Sequence, residues 1–158
     1  MKEPEWPYNL PIWRRFHEAK SPDGKFIARI NPATEISMGN PTLGTLCASN
    51  GLHIPDCNPS FIWSDDSQFL AVPQFFRRFG FFTRSRLLVV SFRQHRVFAS
   101  KMNCYYFQPE TFDGGALVAH VNPFSSKRKV QFKIPSDIES VFKMIIVWWP
   151  EKVAQTAC

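Results

Sequence analysis

A segment rich in arginine and phenylalanine contains the residues of this 158-residue chain that best suit binding chemistry. Its sequence is Gln74-Phe-Phe-Arg-Arg-Phe-Gly-Phe-Phe-Thr-Arg84. Arginine forms bidentate hydrogen bonds with carboxylates and phosphates, and arginine and aromatic residues are enriched at binding hot spots. Two interpretations follow: a projecting surface that binds a partner, or two strand ends whose phenylalanines alternate into the core while the arginines lie in water at the tip.

The positive charge of the chain is concentrated around this segment. The formal net charge is +6, and no acidic residue lies between Asp66 and Glu110. That window holds seven basic residues, so the rest of the chain is slightly acidic. An acidic partner protein fits this charge distribution. We expect the partner to contact Arg77, Arg78, Phe79, Phe81, Arg84, Arg86, Arg93, His95 and Arg96.

Nucleic acid is an alternative partner for the same patch, since aromatic side chains stack on bases and arginine neutralises phosphates. The sequence contains no RNP-like strand, zinc-finger spacing or helix-turn-helix pattern, and its basic excess is modest. We therefore favour a protein partner. The class that fits best is a bacterial immunity protein or inhibitor that binds and neutralises a toxin. A further alternative is an accessory propeller-like domain that oligomerises.

Residues with catalytic or metal-binding potential lack the spacing that such chemistry needs. The four histidines form no H-x-x-x-H or H-x-x-E-H pair, and the four cysteines form no C-x-x-C pair. The sequence has neither a G-x-S-x-G motif nor a glycine-rich phosphate loop. Asp65-Asp66 is a carboxylate pair, but its position indicates a role in a turn. We expect a non-enzymatic protein that uses no cofactor or metal, with reduced and mostly buried thiols.

The composition predicts one soluble domain. The chain is 44% hydrophobic, which suffices for a core, and its 13 prolines and seven glycines disfavour long helices. The longest apolar run, Met144–Trp149, is too short to span a membrane, and the first residues do not form a secretory signal. We expect a cytoplasmic protein with one β domain over residues 1–150 and a flexible tail at 151–158.

A repeated segment predicts the fold. Ser21-Pro-Asp-Gly-Lys-Phe-Ile-Ala28 reappears 43 positions later as Ser64-Asp-Asp-Ser-Gln-Phe-Leu-Ala71. In each copy a strand precedes a turn rich in Pro, Asp, Ser and Gly, and phenylalanine begins the next strand. A period in the forties is the length of one four-stranded propeller blade. We therefore predict a mainly β, antiparallel meander of three degenerate repeats, at about 13–57, 58–103 and 104–149.

The local patterns place strands within each repeat. The predicted strands are Trp13–Phe16, Phe26–Ile30, Thr45–Ala48, Leu52–Ile54, Phe61–Trp63, Phe69–Val72, Arg86–Phe92, Arg96–Ser100, Tyr105–Phe107, Ala116–Val121 and Val130–Ile134. An enlarged turn is expected at Pro109–Gly115. Ser136 and Glu139 have the spacing of a capping box, which predicts one helical turn over Asp137–Phe142, followed by a strand within Val141–Trp149.

The two matched segments resemble the WD-like repeats of TolB-type β-propellers. The residues concerned are Ser21-Pro-Asp-Gly-Lys with Phe26-Ile-Ala28, and Trp63-Ser-Asp-Asp-Ser with Phe69-Leu-Ala71-Val72. The resemblance is strongest in the second repeat and weakest in the third, and it implies a fold rather than an activity. Propellers usually close with at least ~4 blades, and this chain has about three. We therefore expect an open structure, with the N-terminal segment Trp6–Trp13 covering a sheet edge.

Overall fold

Three antiparallel β-meanders, packed face to face, make up the protein. The computed structural model describes residues 11–31, 33–35, 40–123, 128–147 and 149, with the backbone alone at Arg78 and at residues 81–83. The strands in these ranges form two antiparallel sheets that do not close into a barrel. The predicted mainly β, open, antiparallel fold is confirmed.

The elements run in chain order through the three meanders. The first meander comes after a 3-10 turn at Pro11–Trp13 and contains β1 (His17–Lys20), β2 (Ile27–Ile30), β3 (Thr34–Glu35), β4 (Thr42–Ala48) and β5 (His53–Cys57). The second contains β6 (Ile62–Trp63), β7 (Phe69–Arg78), β8 (Phe81–Ser91) and β9 (Arg96–Cys104). The third contains β10 (Phe107–Asp113), β11 (Ala116–Val121) and β12 (Lys129–Lys133), and is followed by α1 (Ile138–Val141) and β13 (Phe142–Ile145).

Backbone pairing joins the first two meanders weakly and leaves the third separate. The larger sheet has the order β1-β2-β4-β5-β7-β8-β9-β13, with β3 on β4 and β6 on β7. The first meander meets the second through a single pair, Cys57 with Gln74. The third meander is its own sheet, β10-β11-β12. Side-chain packing, more than strand pairing, must therefore hold the three meanders together.

The turn of the first matched segment is built by one serine and one aspartate. Ser21 Oγ donates to Asp23 Oδ1 (2.7 Å) and accepts a hydrogen bond from Phe26 N (3.0 Å). Asp23 Oδ1 also accepts from Lys25 N (3.1 Å). Polar side chains thus satisfy the backbone donors that a tight turn leaves exposed.

The second copy repeats these contacts atom by atom. Ser64 Oγ donates to Asp66 Oδ1 (2.6 Å) and accepts from Phe69 N (2.9 Å), while Gln68 N donates to Asp66 Oδ1 (3.0 Å). The sequence match therefore has a structural basis, since the same three groups close both turns. The predicted turn role of Asp66 is confirmed.

The turns also connect neighbouring meanders. Asp23 N donates to Ser67 Oγ (2.9 Å), which links the first turn to the second. Asp65 accepts from Gly114 N at its Oδ2 (3.0 Å), and its own N–H donates to Phe112 O (3.0 Å), which links the second turn to the third meander. The adjacent carboxylates thus have different structural roles, since Asp66 closes its own turn and Asp65 bridges to the next meander.

The central meander is buried on both faces. Successive residues of a strand point to opposite sides, so alternate residues of β7 and β8 contribute to different cores. The core towards the first meander contains Leu70, Val72, Leu88 and Val90. The core towards the third meander contains Phe69, Ala71, Leu87 and Val89. This two-sided burial explains why the sequence Leu87-Leu-Val-Val90 is continuously apolar rather than alternating.

The three meanders form a stack whose outer faces carry charged pairs. On the first meander, Arg29 Nε lies 2.7 Å from Glu18 Oε2. On the third, Glu110 Oε2 lies 2.8 Å from Lys129 Nζ and 3.3 Å from His120 Nε2. Terminal repeats of stacked proteins typically have such polar outer faces.

The predicted strand Trp13–Phe16 is wrong. Residues Pro11–Trp13 form a 3-10 turn, and the first strand begins at His17. The carbonyl of Ile12, directly before the predicted strand, accepts a hydrogen bond from Asn58 Nδ2 (2.8 Å), and that of Arg14, within it, accepts one from the Thr42 hydroxyl. A strand would have used the Arg14 carbonyl in a ladder. The part of the predicted edge-covering segment before Pro11 lies outside the described residues.

The enlarged turn predicted at Pro109–Gly115 is also wrong. β10 continues through Asp113, and the turn consists of Gly114 and Gly115, with φ values of 57° and 78°. Pro109 is compatible with the strand because the register with β11 shifts directly after it, at a bulge where no ladder donor is needed.

The C-terminal prediction of a helical turn followed by a strand is confirmed, but the capping box is wrong. Asp137 precedes the helix without capping it, and its Oδ2 accepts instead from Lys133 N (2.7 Å). Ser136 Oγ donates to the carbonyl of Lys133 (3.2 Å). β13 then pairs with β9 and so extends the central meander, whereas the repeat count assigned it to the third.

We expect Ser21→Ala and Ser64→Ala to lower the free energy of unfolding by similar amounts, about 1–3 kcal/mol each, because either change removes the acceptor of one backbone N–H and one of the two donors to the carboxylate of the turn. Urea unfolding followed by circular dichroism measures this. The exposed Ser140 provides a control, and Ser140→Ala should change stability by less than about 0.5 kcal/mol. A strongly unequal loss for the two turns would contradict their structural equivalence.

Candidate partner-binding site

The β7–β8 hairpin extends beyond the strands that flank it. β7 has ten residues and β8 has eleven. The last pair between β8 and β9 joins Ser85 to Cys104, and β5 meets β7 only at Gln74. Residues 75–84 therefore form a two-stranded ribbon, called the ribbon below, whose only described strand partners are its own two halves.

A two-residue turn with a phenylalanine in a strained position forms the tip of the ribbon. Phe79 and Gly80 have φ values of 55° and 84°, the left-handed pair that a two-residue hairpin loop requires. Asparagine is the residue that such a loop prefers at its first position, and a bulky residue with positive φ is a conformational outlier. Phe79 is nevertheless there and is 89% exposed. Both features disfavour folding, which points to a role other than stability.

The phenylalanines of the ribbon divide between the two interpretations drawn from the sequence. Phe75 is buried and packs 5.8 Å from the ring of Tyr106, as expected for a strand end that reaches into the core. Phe79 points into solvent, as expected for a projecting surface. The segment is therefore both a strand pair anchored at its base and an exposed aromatic tip.

Two arginines of β8 lie on one face of the hairpin among aromatic rings. Arg84 and Arg86 are two residues apart, and they pair with Phe76 and Gln74 across the hairpin. The guanidinium carbon of Arg84 lies 4.5 Å from the centre of the Tyr105 ring, and that of Arg86 lies 5.8 Å from the centre of the Phe76 ring. Such cation–π contacts fix the planes of the guanidinium groups.

Arg86 is half-buried and is held by a neutral acceptor. Its Nε and Nη2 donate to Gln74 Oε1 at 3.0 and 2.8 Å, and Gln74 Nε2 donates in turn to Pro55 O (3.0 Å). Burial lowers the pKa of the Arg86 guanidinium, and the nearby Cys57 sulfur partly offsets this. The group remains charged at neutral pH, so a cation lies partly out of water with no described carboxylate within ion-pair distance.

The described carboxylates provide no ion-pair partner for Arg84 or Arg86. Within the described ranges, ion pairs join Lys25 to Asp23, Arg29 to Glu18, and Lys129 and His120 to Glu110. Among the same residues, no carboxylate lies within ion-pair distance of Arg84 or Arg86. The absence of acidic residues between Asp66 and Glu110 thus appears in three dimensions as an arginine face, formed by Arg84 and Arg86, that has no carboxylate counter-ion among the described residues.

The expected contact residues fall into two groups rather than one patch. Arg77, Arg78, Phe79, Phe81 and Arg84 belong to the ribbon, with Arg86 at its base. Arg93, His95 and Arg96 surround the β8–β9 turn at the opposite end of β8, roughly 30 Å away at about 3.3 Å per residue. There His95 stacks on Trp149, with ring centres 4.9 Å apart. The expected contact residues therefore lie at the two ends of β8, with an extended strand between them.

Three residues of the arginine face were absent from the contact set expected from the sequence. Gln74 and Phe76 belong to the segment rich in arginine and phenylalanine. Their pairing with Arg86 and Arg84 across a hairpin is the signal that could have identified them. Tyr105 follows β9, and no sequence pattern indicates that its ring meets Arg84.

The thiols in the interior suit packing rather than nucleophilic chemistry. Cys57 and Cys104 are free and buried. Burial raises the pKa of Cys57 and raises that of Cys104 to about 11, so both are protonated at neutral pH. In the described part of the chain, no three His, Cys, Asp or Glu side chains form a group that could hold a metal ion. The described helix is too short to cross a membrane.

Comparison with known proteins finds no matching family model, no matching curated protein and no matching solved structure.

Replacing the strained aromatic residue at the tip should stabilise the protein. Phe79→Asn introduces the Asn-Gly pair that a two-residue hairpin turn prefers, and we expect the free energy of unfolding to rise by about 0.5–1 kcal/mol. Urea unfolding measures the change, with Phe76→Asn as a destabilising comparison on the same ribbon. A loss of stability in Phe79→Asn would show that Phe79 supports the fold and would remove it from the candidate site.

Proposed function

We propose that this protein is a non-enzymatic binding module that engages an acidic partner protein through the ribbon. The observation that carries the proposal is the combination of a projecting hairpin, an exposed phenylalanine at a strained tip, and two arginines, Arg84 and Arg86, that have no carboxylate within ion-pair distance among the described residues. Exposed aromatic residues and oriented arginines are the groups from which interface hot spots are built. The rest of the stack supplies a rigid base for them.

A protein partner suits the ribbon better than nucleic acid does. Apart from the four arginines of the ribbon and its base, the chain has 15 basic and 13 acidic residues, so a polyanion that extended beyond the ribbon would gain little further attraction. The ribbon is also narrow, and a two-stranded projection fits a cleft in another protein. Nucleic acid nevertheless provides the contrasting outcome of the experiment below.

A more specific form of this proposal is that the protein acts as an inhibitor. A rigid hairpin that projects from a small stack can occupy the cleft of a second protein, as expected for an immunity protein or inhibitor that neutralises a toxin. The alternative of an oligomerising propeller fragment has less support, because the described outer faces carry charged pairs rather than apolar surface. The resemblance to WD-like repeats remains a prediction about the fold.

Two charge-reversal variants with the same net charge test the location of the surface. Arg77→Glu with Arg78→Glu changes the tip of the ribbon, and Arg93→Glu with Arg96→Glu changes the opposite end of β8. The probes are poly-L-glutamate, as a mimic of an acidic protein segment, and an oligothymidine roughly 20 nucleotides long. Fluorescence anisotropy gives the affinity of each protein for each probe at several salt concentrations.

We expect the tip variant to lose at least about tenfold in affinity for poly-L-glutamate, and the control variant to lose less than about threefold. Equal losses would show that net charge rather than the ribbon determines binding. Tighter binding of oligothymidine than of poly-L-glutamate, with a steep linear dependence on log salt, would favour the nucleic-acid alternative.

A further inference from the structure

The two arginines of the arginine face, Arg84 and Arg86, have a spacing that side chains of a partner can match. Arg84 and Arg86 are separated by one residue of β8, so their Cα atoms lie about 6.6 Å apart on the same side of the strand. In an extended partner segment, side chains two residues apart have the same spacing and the same side. The two guanidinium groups therefore suit acidic side chains at positions i and i+2 of one extended segment.

The two arginines differ in depth. Arg84 lies against Tyr105, which is 55% exposed, and it forms the outer position. Arg86 is recessed at the base of the ribbon, between Phe76 and the Gln74 amide. A carboxylate at the end of a flexible side chain can reach a recessed donor. A nucleic-acid phosphate is part of the backbone, and its neighbouring sugars keep it from entering the recess. The difference in depth thus favours a peptide over a nucleic acid.

The orientation of Arg86 is fixed before any partner arrives. Gln74 accepts two of its five N–H groups and is itself held by the carbonyl of Pro55. The remaining donors belong to the terminal nitrogens, from which arginine forms bidentate bonds to carboxylates. Because the charge is already partly out of water, a partner carboxylate would gain an ion pair at little additional desolvation of the arginine.

We propose that the ribbon binds an extended acidic segment of the partner protein, in which two carboxylates are separated by one residue. Arg86 takes the recessed carboxylate and Arg84 takes the outer one. Phe76 and Tyr105 hold the two guanidinium planes, and Gln74 positions Arg86. This inference rests on the proposed function and adds the conformation and the charge spacing of the partner segment.

Two pentapeptides of identical composition test the spacing. The first has the order Thr-Glu-Thr-Glu-Thr and the second has the order Thr-Glu-Glu-Thr-Thr, both with blocked termini. In an extended peptide the second order places its carboxylates on opposite sides, so only one can face the ribbon. Binding is followed by the ¹⁵N–¹H signals of the arginine Nε groups in the full-length protein. A short oligothymidine is the third probe.

We expect the alternating peptide to shift the Nε signals of Arg84 and Arg86 and to bind at least about threefold more tightly than its isomer. Arg84→Gln with Arg86→Gln should reduce its affinity at least about tenfold, while Arg93→Gln with Arg96→Gln, which carries the same net charge, should reduce it less than about twofold. Arg86→Lys keeps the charge but lacks the planar fork, and it should abolish most of the preference for the alternating order. If the double variant fails to fold, Arg86→Lys alone decides.

Three results would overturn the inference: equal affinity for the two peptides, unchanged Nε signals of Arg84 and Arg86 with every probe, or a shift of those signals by oligothymidine alone. Its failure is distinguishable from failure of the proposed function. If the tip variant Arg77→Glu with Arg78→Glu loses affinity for poly-L-glutamate while the peptides bind equally, the ribbon binds acidic partners without reading their spacing. If neither the tip variant nor Arg84→Gln with Arg86→Gln loses affinity for poly-L-glutamate, the proposed function itself fails.

Discussion

Burial of the central meander on both faces is the constraint on which the rest of the structure depends. Leu88 and Val90 face one core and Leu87 and Val89 face the other, so this meander is stable only when a second layer packs on each side. The first and third meanders supply those layers, and the serine–aspartate turns join them at one edge. The ribbon begins where the flanking strands end. Scaffold and candidate site are therefore successive parts of the same two strands, distinguished by whether neighbouring strands flank them.

The repeat made the scaffold predictable from the sequence. Ser21 with Asp23 and Ser64 with Asp66 close equivalent turns through local hydrogen bonds, so a short segment contained the information that determines each turn. The errors arose where distant contacts decide the local structure. The carbonyl of Ile12 bonds to Asn58, which is 46 residues away, and β13 leaves its own repeat to pair with β9. Neither partner is visible in a local pattern of residues.

The candidate site was predictable only in part, for the same reason. Composition identified the arginines and Phe79, because an uninterrupted window without acidic residues is a property of the sequence. It could not show that β8 carries Arg84 at one end and Arg93 beyond the other, nor that Tyr105 and Gln74 fix the guanidinium planes. What the structure adds is a physical contrast within one hairpin. Buried, paired residues such as Leu87 stabilise the stack, whereas Phe79 and Arg86 adopt arrangements that disfavour folding, as residues selected for binding commonly do.

The central claim is that the ribbon serves binding and the stack folds without it. The most direct measurement removes residues 77–83, joins Phe76 to position 84 through Asn-Gly, and adds Arg84→Gln and Arg86→Gln; Phe76 and Arg84 are already paired across the hairpin, so the shorter turn fits there. The account predicts that the free energy of unfolding changes by less than about 1 kcal/mol, while affinity for poly-L-glutamate falls at least about tenfold. Unfolding of the shortened protein, or undiminished binding by a folded one, would contradict it.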